Sequence, residues 1–297
     1  MGVVTVLVII AVGLAVGLLS GLVGIGGGVL MVPFLYFFYD RPDLFGVVVD
    51  PDARVVLAHG TSLLVMVPTS VRGALAYHKS KLVEWRAVWP IGAASILSAL
   101  AGAQLAAILP PELLKSAFGV LLIFSGLRMV WAKKSLPENP PPAQPRLSYP
   151  RTILTGLIVG LMSSLLGIGG GTVAIPLLIY LLRLDIKQVA ATSIGIIGLT
   201  ATAGTIGYIL SGMDATGLPP SSLGYVHVSA AVALFVGAII SVRWGAALNQ
   251  RMKPRSLSLL FGALFLFLGF RLAGSNLLAL LTDAGEAAGF AYTGPIF

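Results

Sequence analysis

Residues 17–35 read GLLSGLVGIGGGVLMVPFL and residues 160–178 read GLMSSLLGIGGGTVAIPLL, 143 positions apart. Both contain L-x-G-I-G-G-G, with a proline five residues beyond the last glycine, Pro33 and Pro176. Each stretch lies inside a long apolar run. A Gly-Ile-Gly-Gly-Gly segment makes a poor helix interior, because each glycine costs about 1 kcal/mol relative to alanine. Inside a bilayer such a break survives only where the freed backbone groups face protein or a watery cavity. Interrupted apolar segments at matching places in two halves of a chain point to the binding site of a transporter built from repeats.

The likeness between the halves extends beyond this motif. Thr61-Ser62 pairs with Thr192-Ser193, Gly73 with Gly204 and Tyr77 with Tyr208, at an offset of 131 because the first half has a longer loop over 40–52. An insertion around 212–223 restores the offset of 143, so that Gly102 pairs with Gly245, Pro111 with Pro254 and Gly126-Leu127-Arg128 with Gly269-Phe270-Arg271. Repeat one covers 1–132 and repeat two 151–282. A Pro-rich polar connector (133–150) separates them and a tail (283–297) follows. Of the 297 residues, 57% are hydrophobic and 10% charged, against about 25% charged in a soluble domain. This composition predicts an all-α polytopic membrane protein, since strands of a membrane barrel would alternate polar and apolar residues. With no cysteine in the chain, disulfides and thiolate metal sites are excluded. The net charge of +8 reads as cytoplasmic loop lysines and arginines and implies no nucleic acid.

Loop charge then sets orientation. The stretches 77–86, 133–151 and 243–255 are rich in Lys and Arg and are placed in the cytoplasm. The loops 40–52 and 211–225 and the tail after Ala273 carry excess acid or no base, although Arg41 and Arg54 flank the first, and are placed outside. The loop after Tyr77 is then inside and its counterpart after Tyr208 outside, which predicts two inverted repeats with the N-terminus outside. Inversion needs an odd number of crossings per copy. Three spans follow each Gly-rich segment, at about 55–76, 88–108 and 113–131, then 188–210, 226–248 and 257–278. Each Gly-rich segment must therefore start and end on one side, as a helical hairpin of two short or re-entrant helices turning at the glycines. Window counting would give about eight spans, and the full reading gives ten helical segments.

All 11 acidic residues fall in predicted loops or at helix ends, which argues against cation transport through a buried carboxylate. The ionisable groups left near the spans are basic, so the substrate is expected to be an anion. Gly26, Gly27, Gly28, Gly169, Gly170 and Gly171, with Thr172, are candidates for an anion cradle, because helices restarting near Gly27 and Gly170 would aim their N–H groups and positive dipole ends at it. Close helix packing is the competing explanation of those glycines. A phosphate-binding loop is excluded, since no Gly-Lys-Ser/Thr follows. Thr61, Ser62, Thr192 and Ser193 could donate hydroxyl hydrogen bonds to an oxyanion, or tie helices together. His59 could hold an anion or relay a proton. Arg72 is a second candidate for that role, and near a helix end it could equally snorkel. Gly13, before the break, is expected to tolerate valine better than the turn glycines.

The twin motifs at 17–33 and 160–176, with the Ala-His-Gly-Thr-Ser and Ala-Ala-Thr-Ser segments that follow, resemble the sulfite exporter TauE/SafE family over almost the whole chain. The resemblance implies a secondary transporter of small sulfur-containing anions, such as sulfite or organosulfonates, in the cytoplasmic (inner) membrane, with export the direction in the namesake members. An anion channel and a permease for a non-sulfur organic anion are the alternatives. An enzyme is not expected, because neither half offers a nucleophile–base pair or a metal cluster. No cofactor or metal is expected, and the partners are the substrate and the lipid bilayer.

Overall fold

The computed structural model describes residues 2–78, 80–131, 148–184, 186–249, 259, 262–263 and 265–273. Helices are the regular structure of these residues. In order they are α1 (Val3–Val23), α2 (Gly28–Asp40), α3 (Pro42–Phe45), a 3-10 turn (Pro51–Ala53), α4 (Arg54–His78), α5 (Trp85–Ile108), α6 (Pro111–Trp131), α7 (Tyr149–Leu166), α8 (Gly171–Tyr180), α9 (Ile186–Ser211) and α10 (Val228–Asn249). Residues 262–263 and 265–273 are also helical. The tail 283–297, most of the connector and part of the 257–278 span lie outside the described residues.

Six described helices are long and apolar enough to cross a membrane: α1, α4, α5, α7, α9 and α10. α6 matches them in length, with Glu112 in its first turn and Arg128 in its last. The chain is thus an all-α polytopic membrane protein. The Gly-turn segments differ from the expected pair of short helices. α1 has 21 residues and α2 has 13, or about 31 and 20 Å at 1.5 Å per residue, against a hydrocarbon core of about 30 Å. α7 and α8 have 18 and 10 residues. In each hairpin one arm can cross and the other cannot. Sequence explains the short arms: the apolar run of α2 stops at Asp40-Arg41-Pro42, and that of α8 stops before Arg183 and Asp185.

α4 and α9 are the most buried of the spans and pack on each other. The other large helix contacts come in matched pairs: α1 lies along α10 and α7 along α5, while α9 packs on α5 and α4 on α10. Side-chain detail follows the same exchange. The Tyr77 hydroxyl donates to the Gly21 carbonyl and that of Tyr208 to the Ser164 carbonyl, each at 2.7 Å. Glycines let the paired helices approach. A Cβ at Gly13 would sit 3.0 Å from the Leu234 carbonyl carbon, one at Gly17 2.5 Å from Ala238 Cα, and one at Gly21 2.8 Å from Ala246 N. On the matched pair, a Cβ at Gly160 would sit 2.9 Å from the Ser95 carbonyl carbon. Small residues that admit a neighbouring backbone are the usual means of helix association where lipid is as apolar as the side chains. This corrects the expectation for Gly13: valine there would meet α10 backbone, so it is no mild substitution.

Loop contacts mark the two ends of the molecule. The Asp50 N–H donates to the Gly217 carbonyl at 3.1 Å, joining loops 40–52 and 211–225 beside the start of α4. Lys81 follows the far end of α4, 25 residues on. At that far end Tyr77 and Ala191 cluster with Ala246 near the end of α10. The four tryptophans of the chain sit there too: Trp85 and Trp89 at the start of α5, Trp131 at the end of α6 and Trp244 near the end of α10.

Candidate functional site

The glycine motifs fold as two near-identical turns. α1 stops where Gly24 enters the left-handed region at φ 77°, its N–H closing on the Ser20 carbonyl. Gly26 and Gly27 hold φ at 81° and 78°. Gly27 then caps α2, its carbonyl accepting from the Leu30 and Met31 N–H groups. In the second motif Gly167, Gly169 and Gly170 repeat this at φ 65°, 70° and 80°. An L side chain adopts such angles only with strain, so these positions require glycine. A Cβ at Gly27 would lie 2.7 Å from Val16 Cγ1, and one at Gly170 2.7 Å from Val159 Cγ1. At each turn the backbone therefore doubles back against its own first arm, as the hairpin reading expects.

The two turns lie against each other. A Cβ at Gly28, the first residue of α2, would be 2.7 Å from Ile168 Cα, and one at Gly171, the first of α8, would be 2.5 Å from Ile25 Cα. Two helix N-termini thus converge on one spot, with the first-turn N–H groups that a helix leaves unpaired and the positive ends of both dipoles. No described Asp or Glu is buried, so no carboxylate competes for that field. Met66 of α4 and Ile197 of α9 cover the turns. A Cβ at Gly26 or at Gly169 would lie 3.0 Å from Ile197, and Met66 packs on Gly26, Gly28 and Gly169.

The hydroxyl candidates divide into two kinds. Some tie the structure together. Thr61 Oγ1 accepts the His227 N–H at 2.9 Å, and Thr192 Oγ1 accepts the Glu84 N–H at 3.1 Å. These are matched links from α4 to the start of α10 and from α9 to the start of α5, each worth about 1 kcal/mol. Ser62 donates to the carbonyls of His59 and Gly167 and so pins the second turn to α4. Others are buried and unpartnered. The hydroxyl oxygens of Ser163, Ser164, Thr172 and Ser193 have no hydrogen-bond partner. Ser163 stands beside the α8 cap, its Cβ 3.2 Å from where a Cβ of Gly170 would be, and Thr172 is the second residue of α8. An unmet buried hydroxyl costs about 1–3 kcal/mol, and three of these four flank the second turn on α7 and α8.

His59 is fully buried and bonded to Tyr36 and Tyr208. Arg72 is exposed on α4, unlike every other candidate. The sequence reading missed Met66, Ile197, Ser163, Ser164 and Tyr36. Met66 and Ile197 are related by the 131-residue offset, so extending the repeat alignment by four residues would have found them. Among the described residues no group of His, Asp or Glu could hold a metal ion.

A family model described as Sulfite exporter TauE/SafE matches residues 9–272. The chain is similar to the Probable membrane transporter protein MJ0441 of Methanocaldococcus jannaschii, 33% identical over 262 residues covering 88% of this chain and 92% of that one. It is 27% identical over 279 residues to the Probable membrane transporter protein YunE of Bacillus subtilis, covering 89% and 96%. A Probable membrane transporter protein of Haemophilus influenzae is 28% identical over 88% of this chain. No solved structure matches the chain significantly.

Proposed function

The chain belongs to the sulfite exporter TauE/SafE family of membrane transporters, and from that premise we propose that it carries a small sulfur oxyanion, such as sulfite or an organosulfonate, by alternating access. The observation that carries this reading is the meeting of two helix N-termini at paired glycine turns, with buried unpartnered hydroxyls on the second. Free N–H groups and partial positive charge suit an anion, and broken helices in transporters present such ends to anionic substrates. In this reading Gly26–Gly28 and Gly169–Gly171 approach the anion with their backbone, and Ser163, Thr172 and Ser193 donate to it. Thr61, Thr192 and Ser62 hold the turns and helix starts in place. Met66 and Ile197 must withdraw for the anion to enter, which favours a gated carrier over an open channel.

The repeats are inverted in the membrane under this proposal, with export the direction of the family's namesakes. Supporting it are the exchanged contacts of α1–α10 and α5–α7, and the placement of Lys81 and Gly217 at opposite ends of α4. Basic loops and tryptophans share the Lys81 end, which we assign to the cytoplasmic face of the inner membrane.

Thermal unfolding of the purified chain tests the site. Sulfite, sulfate, sulfoacetate and taurine are compared with acetate, for the parent and for Gly170→Val. Ligand at a hundredfold over its Kd stabilises by about 2.7 kcal/mol. A sulfur oxyanion should raise the parent's Tm and leave that of Gly170→Val unmoved. Equal shifts in both proteins would place the anion elsewhere, and a larger response to acetate would reject the sulfur class.

A further inference from the structure

A hydrogen-bonded chain links α2 to the second glycine turn, with a lysine of α6 over its first ring. Lys115 Nζ lies 5.7 Å from the centroid of the Tyr36 ring. The Tyr36 hydroxyl meets His59 Nε2, and His59 Nδ1 is 3.3 Å from the Tyr208 hydroxyl. Tyr208 donates to the Ser164 carbonyl at 2.7 Å. A carbonyl only accepts, so the single phenolic proton of Tyr208 is committed there. Its oxygen must then accept from His59 Nδ1–H. Nε2 is left as the acceptor for the Tyr36 O–H. With a neutral imidazole all the protons in the chain donate in one direction, and the basic nitrogen of His59 faces Tyr36. The ring stands directly on the turn: a Cβ at Gly167 would lie 2.9 Å from His59 Cδ2.

The first turn has no such chain. Ile179 occupies the place of Tyr36 and Ala190 that of His59, at the offsets that relate the repeats. Only the tyrosine bonded to the first arm is kept, as Tyr77 on Gly21. A purely architectural element would be expected in both copies, as the Thr61 and Thr192 links are. Among the described residues the titratable chain occurs only in the end of the molecule that holds loops 40–52 and 211–225.

We propose that His59 is a proton-binding site coupled to the anion, a role that rests on the carrier reading above. When Tyr36 swings away, Nε2 takes a proton from water on the side where the anion is loaded. The imidazolium then lies beside the second turn and offsets the charge of the anion held there. Proton and anion leave together to water on the release side, His59 returns to neutral, and Tyr36 closes. A monovalent anion thus crosses with one proton and no net charge. The titratable and charged groups facing His59 are Tyr36 of α2, Tyr208 of α9 and, across the Tyr36 ring, Lys115 of α6.

Two measurements test this on the full chain. The chain has three histidines, so nitrogen-15 spectra of labelled protein are assigned by one substitution, His59→Gln. His59 should carry its proton on Nδ1, and methanesulfonate should raise its proton affinity about tenfold, because coupling between two ligands is reciprocal. The Nε2-protonated tautomer, or a proton affinity unmoved by an anion that binds, overturns the proposal. In liposomes containing a pH dye, methanesulfonate brings no proton of its own at neutral pH. Uptake should acidify the interior, and the proton-to-anion ratio should fall about tenfold in His59→Gln, which keeps a donor and an acceptor but does not titrate. Uptake without acidification by the parent leaves the carrier reading standing and removes the coupling. Absence of uptake and counterflow by the parent with methanesulfonate, sulfate and sulfoacetate rejects the carrier reading and this proposal with it.

Discussion

Gly27 and Gly170 cap the short arms at φ 78° and 80°, and both lack room for a side chain. In each, a Cβ would fall 2.7 Å from a valine methyl group of the first arm. Replacing either by valine adds backbone strain of about 1–3 kcal/mol and displaces the first-turn N–H groups by the same movement. Gly27→Val and Gly170→Val are each expected to insert into the membrane but to lose anion counterflow at least tenfold, at matched abundance on a membrane blot. Near-normal counterflow by both would reduce the motifs to packing. These glycines were legible in the sequence because a Gly-Ile-Gly-Gly-Gly turn is a local, chemical statement. The Tyr36–His59–Tyr208 chain was not, because its members are 23 and 149 positions apart and a lone tyrosine in an apolar run carries no signature.

The unit of association between elements is the close helix pair. Gly13, Gly17 and Gly21 recur every four residues on one face of α1 and admit the α10 backbone, and Gly156 and Gly160 do the same for α7 on α5. Overpacking a tight contact costs about 1–3 kcal/mol, occasionally more, and here the obstruction is backbone that cannot rotate aside. Gly17→Val should lower the thermal midpoint of the purified protein by several degrees. Gly2→Ala should leave it unchanged, since the nearest atom to a Cβ there is Thr5 Oγ1 at 3.9 Å. Equal midpoints for the two variants would show that α1 and α10 do not pack as described. The helices themselves were read from sequence to within a few residues: spans expected at 55–76 and 88–108 are α4 (Arg54–His78) and α5 (Trp85–Ile108). The lopsided hairpins were not, because apolar runs on either side of a turn do not announce which arm tilts or stops short.

For the whole molecule, the inverted arrangement has a direct test. The chain contains no cysteine, so Lys81→Cys and Gly217→Cys each create a single label site. A membrane-impermeant maleimide added to intact cells should modify the second and spare the first. Labelling of both from one side would end the inverted reading. The class of the protein, its family, the positions of the described spans and the two glycine turns are all legible in the linear sequence. All of these rest on composition, periodicity and local backbone chemistry, which a linear string carries in full. That the turns lie against each other and that Met66 and Ile197 cover them emerges only from the packed helices. The same packing decides that Thr61 and Thr192 serve as links while Ser163 and Thr172 are left with unmet hydroxyls, and that one histidine stands on one turn. The physical reason is that a hydroxyl or imidazole has the same composition whether its partner is a backbone group or a ligand. The positions of groups distant along the chain determine which bond is already made and which is still open.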